Sequence, residues 1–100
     1  MKNRISDKTL KLLRNNIPIE KVIADVCNIP SKYSEGYFRF LCPLCQEFRT
    51  ATNPKTNLAK CFRCNENFNP IDMVMAVNNT NFIDTVELLI TRFPYIKDHS

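Results

Sequence analysis

Four of the chain's five cysteines fall in two C-x-x-C pairs, Cys42/Cys45 and Cys61/Cys64, with fifteen residues between the pairs. No other feature constrains the fold as strongly. A C-x-x-C turn lets two thiolates converge on one ion, and a second pair completes a tetrahedron. The chemistry indicated is a closed structural zinc site, with Cys42, Cys45, Cys61 and Cys64 as the ligands of one zinc ion. Four sulfurs fill the coordination sphere and leave no position for a catalytic water. Iron in the same four-sulfur set is the alternative metal. A redox role for the C-x-x-C pairs is disfavoured, because two pairs at this interval point to one shared ion.

The chain's 100 residues make one small domain. A chain of this size buries only about 60–65% of the surface its unfolded form exposes, so it benefits from a staple. A structural zinc contributes on the order of 10–16 kcal/mol in small zinc peptides. Disulfides would be the other staple. The odd cysteine count and the opening MKNRISDKTLKLL, which lacks a signal-peptide apolar core and cleavage site, favour reduced, metal-bound thiols in a cytoplasmic protein. No apolar run approaches the roughly 18 residues that a membrane span needs.

The net charge of +4 is unevenly placed. Residues 1–35 and 36–69 each carry +3 and residues 70–100 carry −2. Four thiolates around a divalent cation leave the cluster near −2, which lowers the central segment to about +1 when metallated. Basicity alone is therefore weak evidence for nucleic acid, since Lys60 and Arg63 also offset the cluster's own charge.

In chain order, Ser6 as N-cap and the stripe Leu10, Leu13, Ile17 predict a helix from Asp7 to Asn15. A second helix is expected to start with Pro18 at its first position and to bury Ile19, Val22, Ile23 and Val26. Together these give helices over about residues 7–27. Cys27, outside the metal pattern, reads as a buried structural thiol. Ser34-Glu35-Gly36, with the only glycine, reads as a turn. A ribbon over about 37–65 follows, with strands at Tyr37–Leu41, Thr50–Thr52 and Leu58–Phe62 and a loop over Asn53–Asn57. Phe38 and Phe40 share one face of the first strand. After each second cysteine the backbone turns to aim N–H groups at sulfur, a place that often takes glycine. Asn65 tolerates the left-handed region there well and Gln46 less so, so the first knuckle is expected to be the less regular one. Helices over about 70–93 complete the chain. One runs Pro70–Val77 behind the Asn69 cap. The other starts near Asn81 with Asp84 as capping partner, and turns Phe82, Val86, Leu89, Ile90 and Phe93 inward. The tail from Tyr95 to Ser100 is expected to fray, and His99 within it is a poor candidate for any site. The fold class is a small α+β zinc ribbon, an antiparallel sheet with two C-x-x-C knuckles flanked by N- and C-terminal helices, in a single domain over residues 1–100.

Four segments carry a more specific resemblance: Cys42-Pro43-Leu44-Cys45-Gln46-Glu47, Cys61-Phe62-Arg63-Cys64, Ile71-Asp72-Met73-Val74-Met75 and Phe82-Ile83-Asp84-Thr85-Val86-Glu87-Leu88-Leu89. In order and approximate spacing, over about three quarters of the chain, they resemble the N-terminal CHC2-type zinc-binding domain of bacterial replicative DNA primases. The sequence departs from that pattern in four ways. Cys45 stands where the family usually has His, and Phe48–Thr52 replaces the usual Lys-Thr-Pro-Ser-Phe. The segment between ligand pairs is slightly short, and Arg63 replaces a glycine.

The resemblance implies a non-catalytic zinc-binding accessory module in DNA replication and primer synthesis. The expected partners are a DNA polymerase, primase or helicase in trans, together with single-stranded DNA template. No small-molecule substrate and no membrane partner are expected. The sequence shows no Ser/His/Asp set and no phosphate-cradling Gly-rich loop, and its acids Asp72, Asp84 and Glu87 suit caps and solvated helix faces. The expected DNA surface is the exposed ribbon face: Tyr37, Arg39, Arg49, Lys55, Lys60, Phe62 and Arg63, with Phe38 as a further stacking candidate. Bases stack on such rings while cations follow the phosphates. One alternative is a protein-interaction subunit with no DNA binding of its own, using an apolar patch of Leu12, Met73, Val77, Ile83 and Leu88. Another is the N-terminal fragment of a larger primase.

Overall fold

The structure, a computed structural model, describes residues 5–94. Helix α1 (Asp7–Asn15) starts where Ser6 accepts a hydrogen bond from the Thr9 N–H at 3.1 Å. Leu13 and, past the helix end, Ile17 are fully buried, and Leu10 packs at the edge of the core. Pro18 is not the first residue of the next helix but its cap, with ψ 127°, so α2 begins one residue later (Ile19–Lys21). It continues at once as a π-helical turn, Val22–Val26. There the Cys27 N–H reaches back five residues to the Val22 carbonyl at 2.9 Å. The widened turn leads through Asn28, at φ 53°, to the buried Ile29. Cys27 is half-buried against the core, and burial pushes its thiol up to about 11, as suits an inert packing residue.

The ribbon holds five strands rather than the three that sequence pattern suggests. β1 (Ser31–Ser34) and β2 (Tyr37–Phe40) form an antiparallel hairpin in which Ser34 faces Tyr37. Its two-residue turn has Glu35 at φ 55° and Gly36 at φ 82°, the doubly left-handed geometry that matches strand twist. β1 is exposed and polar, without apolar alternation, so no periodicity marked it. The Glu35-Gly36 turn was the available signal, because such a turn before a strand implies a partner strand ahead of it. β3 (Thr50–Asn53), β4 (Leu58–Cys61) and β5 (Glu66–Phe68) make a separate antiparallel sheet in sequence order. β5, three residues long, pairs Cys61 with Glu66 and Ala59 with Phe68.

No strand ladder joins the two sheets. Where β2 meets β3, the side chain of Thr50 replaces it. The Thr50 hydroxyl accepts from the Phe40 N–H at 2.8 Å and donates to the Phe40 carbonyl at 2.6 Å. Both residues are fully buried. A second side chain ties the helices to the ribbon. Asn57, left-handed at φ 56° in the β3–β4 loop, donates from Nδ2 to the Arg14 and Ile17 carbonyls, both at 2.7 Å. Its Oδ1 accepts from the Ile19 N–H at 2.9 Å. One amide thus satisfies three backbone groups at the junction of α1 and α2.

Helix α3 (Pro70–Asn78) opens with a reciprocal capping box, Asn69 accepting from the Asp72 N–H at 2.8 Å and Asp72 from the Asn69 N–H at 3.2 Å. It ends at Asn79 in the left-handed region. Helix α4 (Phe82–Arg92) is capped by Asn81, which accepts from the Asp84 N–H at 2.8 Å. α3 is the hub of the helical layer and touches α1, the π-turn, β5 and α4. Val86, Leu89 and Phe93 turn inward as expected. Phe82 does not: it occupies the first position of α4 and is 40% exposed. The apolar patch expected for a partner is partly used by the core, while Ile83 of α4 is half-buried outside the core cluster. Met73 is fully buried, and Leu12, Val77 and Leu88 are half-buried against the core. Residues 95–100, including His99, lie outside the described residues, as do 1–4.

These fastenings predict large, local costs. Thr50→Val, which keeps the shape but orphans two buried backbone groups, is expected to destabilise by about 3 kcal/mol, and Thr50→Ser by about 1 kcal/mol. Asn57→Ala, which also strains a left-handed position, is expected to cost about 3 kcal/mol or more. Urea denaturation of the zinc-loaded protein followed by circular dichroism measures all three.

Candidate metal centre and ribbon groove

Cys42 and Cys45 stand on the turn that follows β2, Cys61 is the last residue of β4, and Cys64 lies on the turn to β5. The four Sγ atoms lie within 4.8 Å of one another. Cys42 and Cys64 approach to 3.9 Å and Cys45 and Cys61 to 3.6 Å. A tetrahedron with zinc–sulfur bonds of about 2.3 Å has edges of about 3.8 Å, so the cage already has the dimensions of a zinc site. Each knuckle aims a backbone donor at sulfur: Leu44 N–H at Cys42 Sγ and Cys64 N–H at Cys61 Sγ, both at 3.4 Å. Gln46 (φ 62°) and Asn65 (φ 59°) both occupy the left-handed region. The first knuckle is further closed by Gln46 N–H to the Cys42 carbonyl at 2.9 Å and Cys42 N–H to the Glu47 carbonyl at 3.0 Å.

The electrostatics of the cage call for a cation. Burial raises the Cys45 thiol, but hydrogen bonds from the Cys64 and Cys61 thiols outweigh it and bring Cys45 down to about 7. The bond to Cys45 is the main reason that Cys64 is pushed up to about 12, and burial raises Cys42. One thiolate is thus supported at the expense of its neighbours. A divalent ion at the centre removes that conflict by stabilising all four thiolates together.

The predicted DNA-facing residues divide into two groups. Tyr37, Lys55, Lys60 and Phe62 line one open groove of about 820 Å³ on the outer face of the ribbon, which Phe38 also borders. Tyr37 is 53% and Phe62 58% exposed, and Lys60 Nζ sits 5.7 Å from the centre of the Phe62 ring. Arg39, Arg49 and Arg63 lie outside the lining. Arg39 is half-buried, paired with Glu35 at 3.1 Å, and donates to the Thr50 carbonyl at 2.8 Å while resting over Tyr37. Its charge is committed to holding the two sheets and the Tyr37 ring. Arg49 and Arg63 are exposed. The groove also contains two residues that no sequence motif singled out, Tyr33 of β1 and Glu20 of α2. Tyr33 is 72% exposed, and its hydroxyl donates to Glu20 at 3.2 Å. That bond, with the carboxylate's charge behind it, holds the phenol above its usual range. Among the described residues no helix is long and apolar enough to cross a membrane.

The cage predicts one zinc per chain. Cys45→His is expected to retain it, since imidazole serves equally in a tetrahedral site, whereas Cys61→Ser is expected to lose it and the ribbon's fold with it. Binding requires deprotonated thiols, so loading releases protons and zinc is lost as pH falls. Metal analysis after dialysis against chelator, repeated down a pH series, tests these outcomes; a ribbon that keeps its circular dichroism without metal would contradict the zinc-staple argument.

The family model of the CHC2 zinc finger matches residues 5–98, nearly the whole chain. Among curated proteins, a DNA primase of Streptomyces coelicolor is 29% identical over 91 residues. That match covers 89% of this chain and 14% of the primase, so the chain spans about a seventh of the length of that relative. The four-sulfur cage, the helices at both ends of the ribbon and the family match agree: the chain belongs to the CHC2 zinc finger family.

Proposed function

We propose that the chain is a non-catalytic zinc-binding accessory module of DNA replication and primer synthesis, formed as one domain over residues 1–100. In this reading it works in trans with a DNA polymerase, primase or helicase in the cytoplasm and contacts single-stranded template with its ribbon. The observation that carries the DNA contact is the outer groove, where Tyr37 and Phe62 expose rings beside Lys55 and Lys60. Bases stack on such rings with little regard to sequence, at about 1–3 kcal/mol each, while the ammonium groups follow the backbone. Arg39 positions the Tyr37 ring. Arg49, whose carbonyl accepts from the Phe62 N–H at 2.8 Å, and Arg63, next in sequence to Phe62, flank the groove and meet phosphates at its rim. The zinc is the staple that holds Phe62 in place, one residue after the ligand Cys61. The replication role rests on the match to the CHC2 zinc finger family and on the likeness to a DNA primase.

Fluorescence anisotropy of a labelled single strand, titrated with zinc-loaded protein at several salt concentrations, tests the DNA contact. Affinity is expected to fall with salt by about 0.7 log units per log unit for each phosphate neutralised. Phe62→Ala is expected to weaken binding about tenfold, and Lys60→Ala to weaken it and flatten the salt dependence. No binding at low salt would sink the DNA contact. Primer synthesis by a replication polymerase or primase of the same source, measured with and without the chain, tests action in trans.

A further inference from the structure

Glu20 is the one acid in the wall of the groove. It stands in the first turn of α2 and reaches to both sheets. One carboxylate oxygen accepts from the Thr52 hydroxyl of β3 at 2.9 Å, the other from the Tyr33 hydroxyl of β1 at 3.2 Å. Both donors are neutral, and among the described residues no cation lies within ion-pair range of it. The carboxylate is therefore held in place without being neutralised, and each oxygen keeps a lone pair to offer. The groove's other charges are Lys55 and Lys60. A negative group among them repels phosphate, so it does not help to hold a strand by its backbone. What it suits is a base edge rich in N–H donors.

Unpaired bases are read on their Watson–Crick edges. Guanine presents two adjacent donors there, N1–H and the N2 amino group. Adenine and cytosine each present one amino group beside a ring-nitrogen acceptor, and thymine presents one N–H between two carbonyls. Two adjacent donors meet a carboxylate in a pair of parallel, charge-assisted hydrogen bonds, whereas an acceptor in the same place is repelled. Tyr33 supplies the stacking surface: it is the most exposed ring of the ribbon, and its hydroxyl end touches the carboxylate. A base laid against that ring brings its edge to Glu20. We propose that Glu20 is a specificity-determining residue of the groove and takes the Watson–Crick edge of an unpaired guanine stacked on Tyr33. The inference rests on the groove being a single-stranded DNA site, as proposed above.

The test compares zinc-loaded protein on an oligothymidylate strand and on the same strand with one central guanine, adenine, cytosine or inosine. Guanine is expected to tighten binding at least about fivefold over the others. Inosine, which keeps N1–H but lacks the N2 amino group, is expected to lose most of that gain. Glu20→Gln keeps the side chain's size but turns one acceptor into a donor, and is expected to abolish the guanine preference with zinc content and circular dichroism unchanged. Equal affinity for all strands overturns the inference and leaves the DNA contact standing. A preference that survives Glu20→Gln overturns it too, and absence of binding to any strand removes both readings. Should Glu20→Gln lose its zinc, the inosine comparison on the unaltered protein decides, and an inosine strand bound as tightly as guanine refutes the proposal.

Discussion

Four cysteine sulfurs held within 4.8 Å of one another cannot all ionise without a cation among them, and most of the ribbon's geometry depends on that constraint. The cage joins the end of β4 to the turns after β2 and before β5, so metal binding and ribbon assembly are one event. The left-handed Gln46 and Asn65, and the N–H groups aimed at Cys42 and Cys61, are local costs and gains that make sense only around an ion. Cys45 in the usual histidine position changes the ligand and leaves the tetrahedron intact.

Away from the metal, two polar side chains do what secondary structure does elsewhere. Thr50 stands in for the ladder between two sheets that share no strand pairing. Asn57 closes the end of α1 and the start of α2 from a loop forty residues further along the chain. Both are buried, and burial makes such bonds costly to break. The helical layer then adds an apolar base: α3, capped at both ends by asparagine, packs on α1, the π-turn, α4 and β5.

This construction leaves the outer ribbon face open while covering the inner one. Alternation along β4 sends Ala59 and Cys61 inward and leaves Leu58, Lys60 and Phe62 toward the groove. Part of the expected basic surface is consumed on β2, where Arg39 bonds to Thr50 and Glu35 and serves the joint between sheets. The groove that remains is mixed in charge, with two lysines, one carboxylate and three exposed rings, a composition suited to bases as well as phosphates.

Much of this was legible in the chain. The C-x-x-C spacing marked four cysteines as ligands of one shared ion, because tetrahedral coordination tolerates few separations. The caps Ser6, Asn69 and Asn81 and the Glu35-Gly36 turn marked local boundaries, because they act through backbone groups within three residues. Strands β1 and β5 carry no periodic pattern of their own, being short and mostly polar and held by pairing, and only the Glu35-Gly36 turn pointed to β1. The roles of Asn57, Thr50, Glu20 and Tyr33, and the burial of Met73, were not legible. Each depends on a residue ten or more positions away, and no local period or motif encodes which distant backbone group, ring or helix a side chain will meet. Composition and spacing therefore determined the metal ligands and the class of fold; only the packing of the two sheets and the helices decided which side chains face the groove and which are spent holding it together.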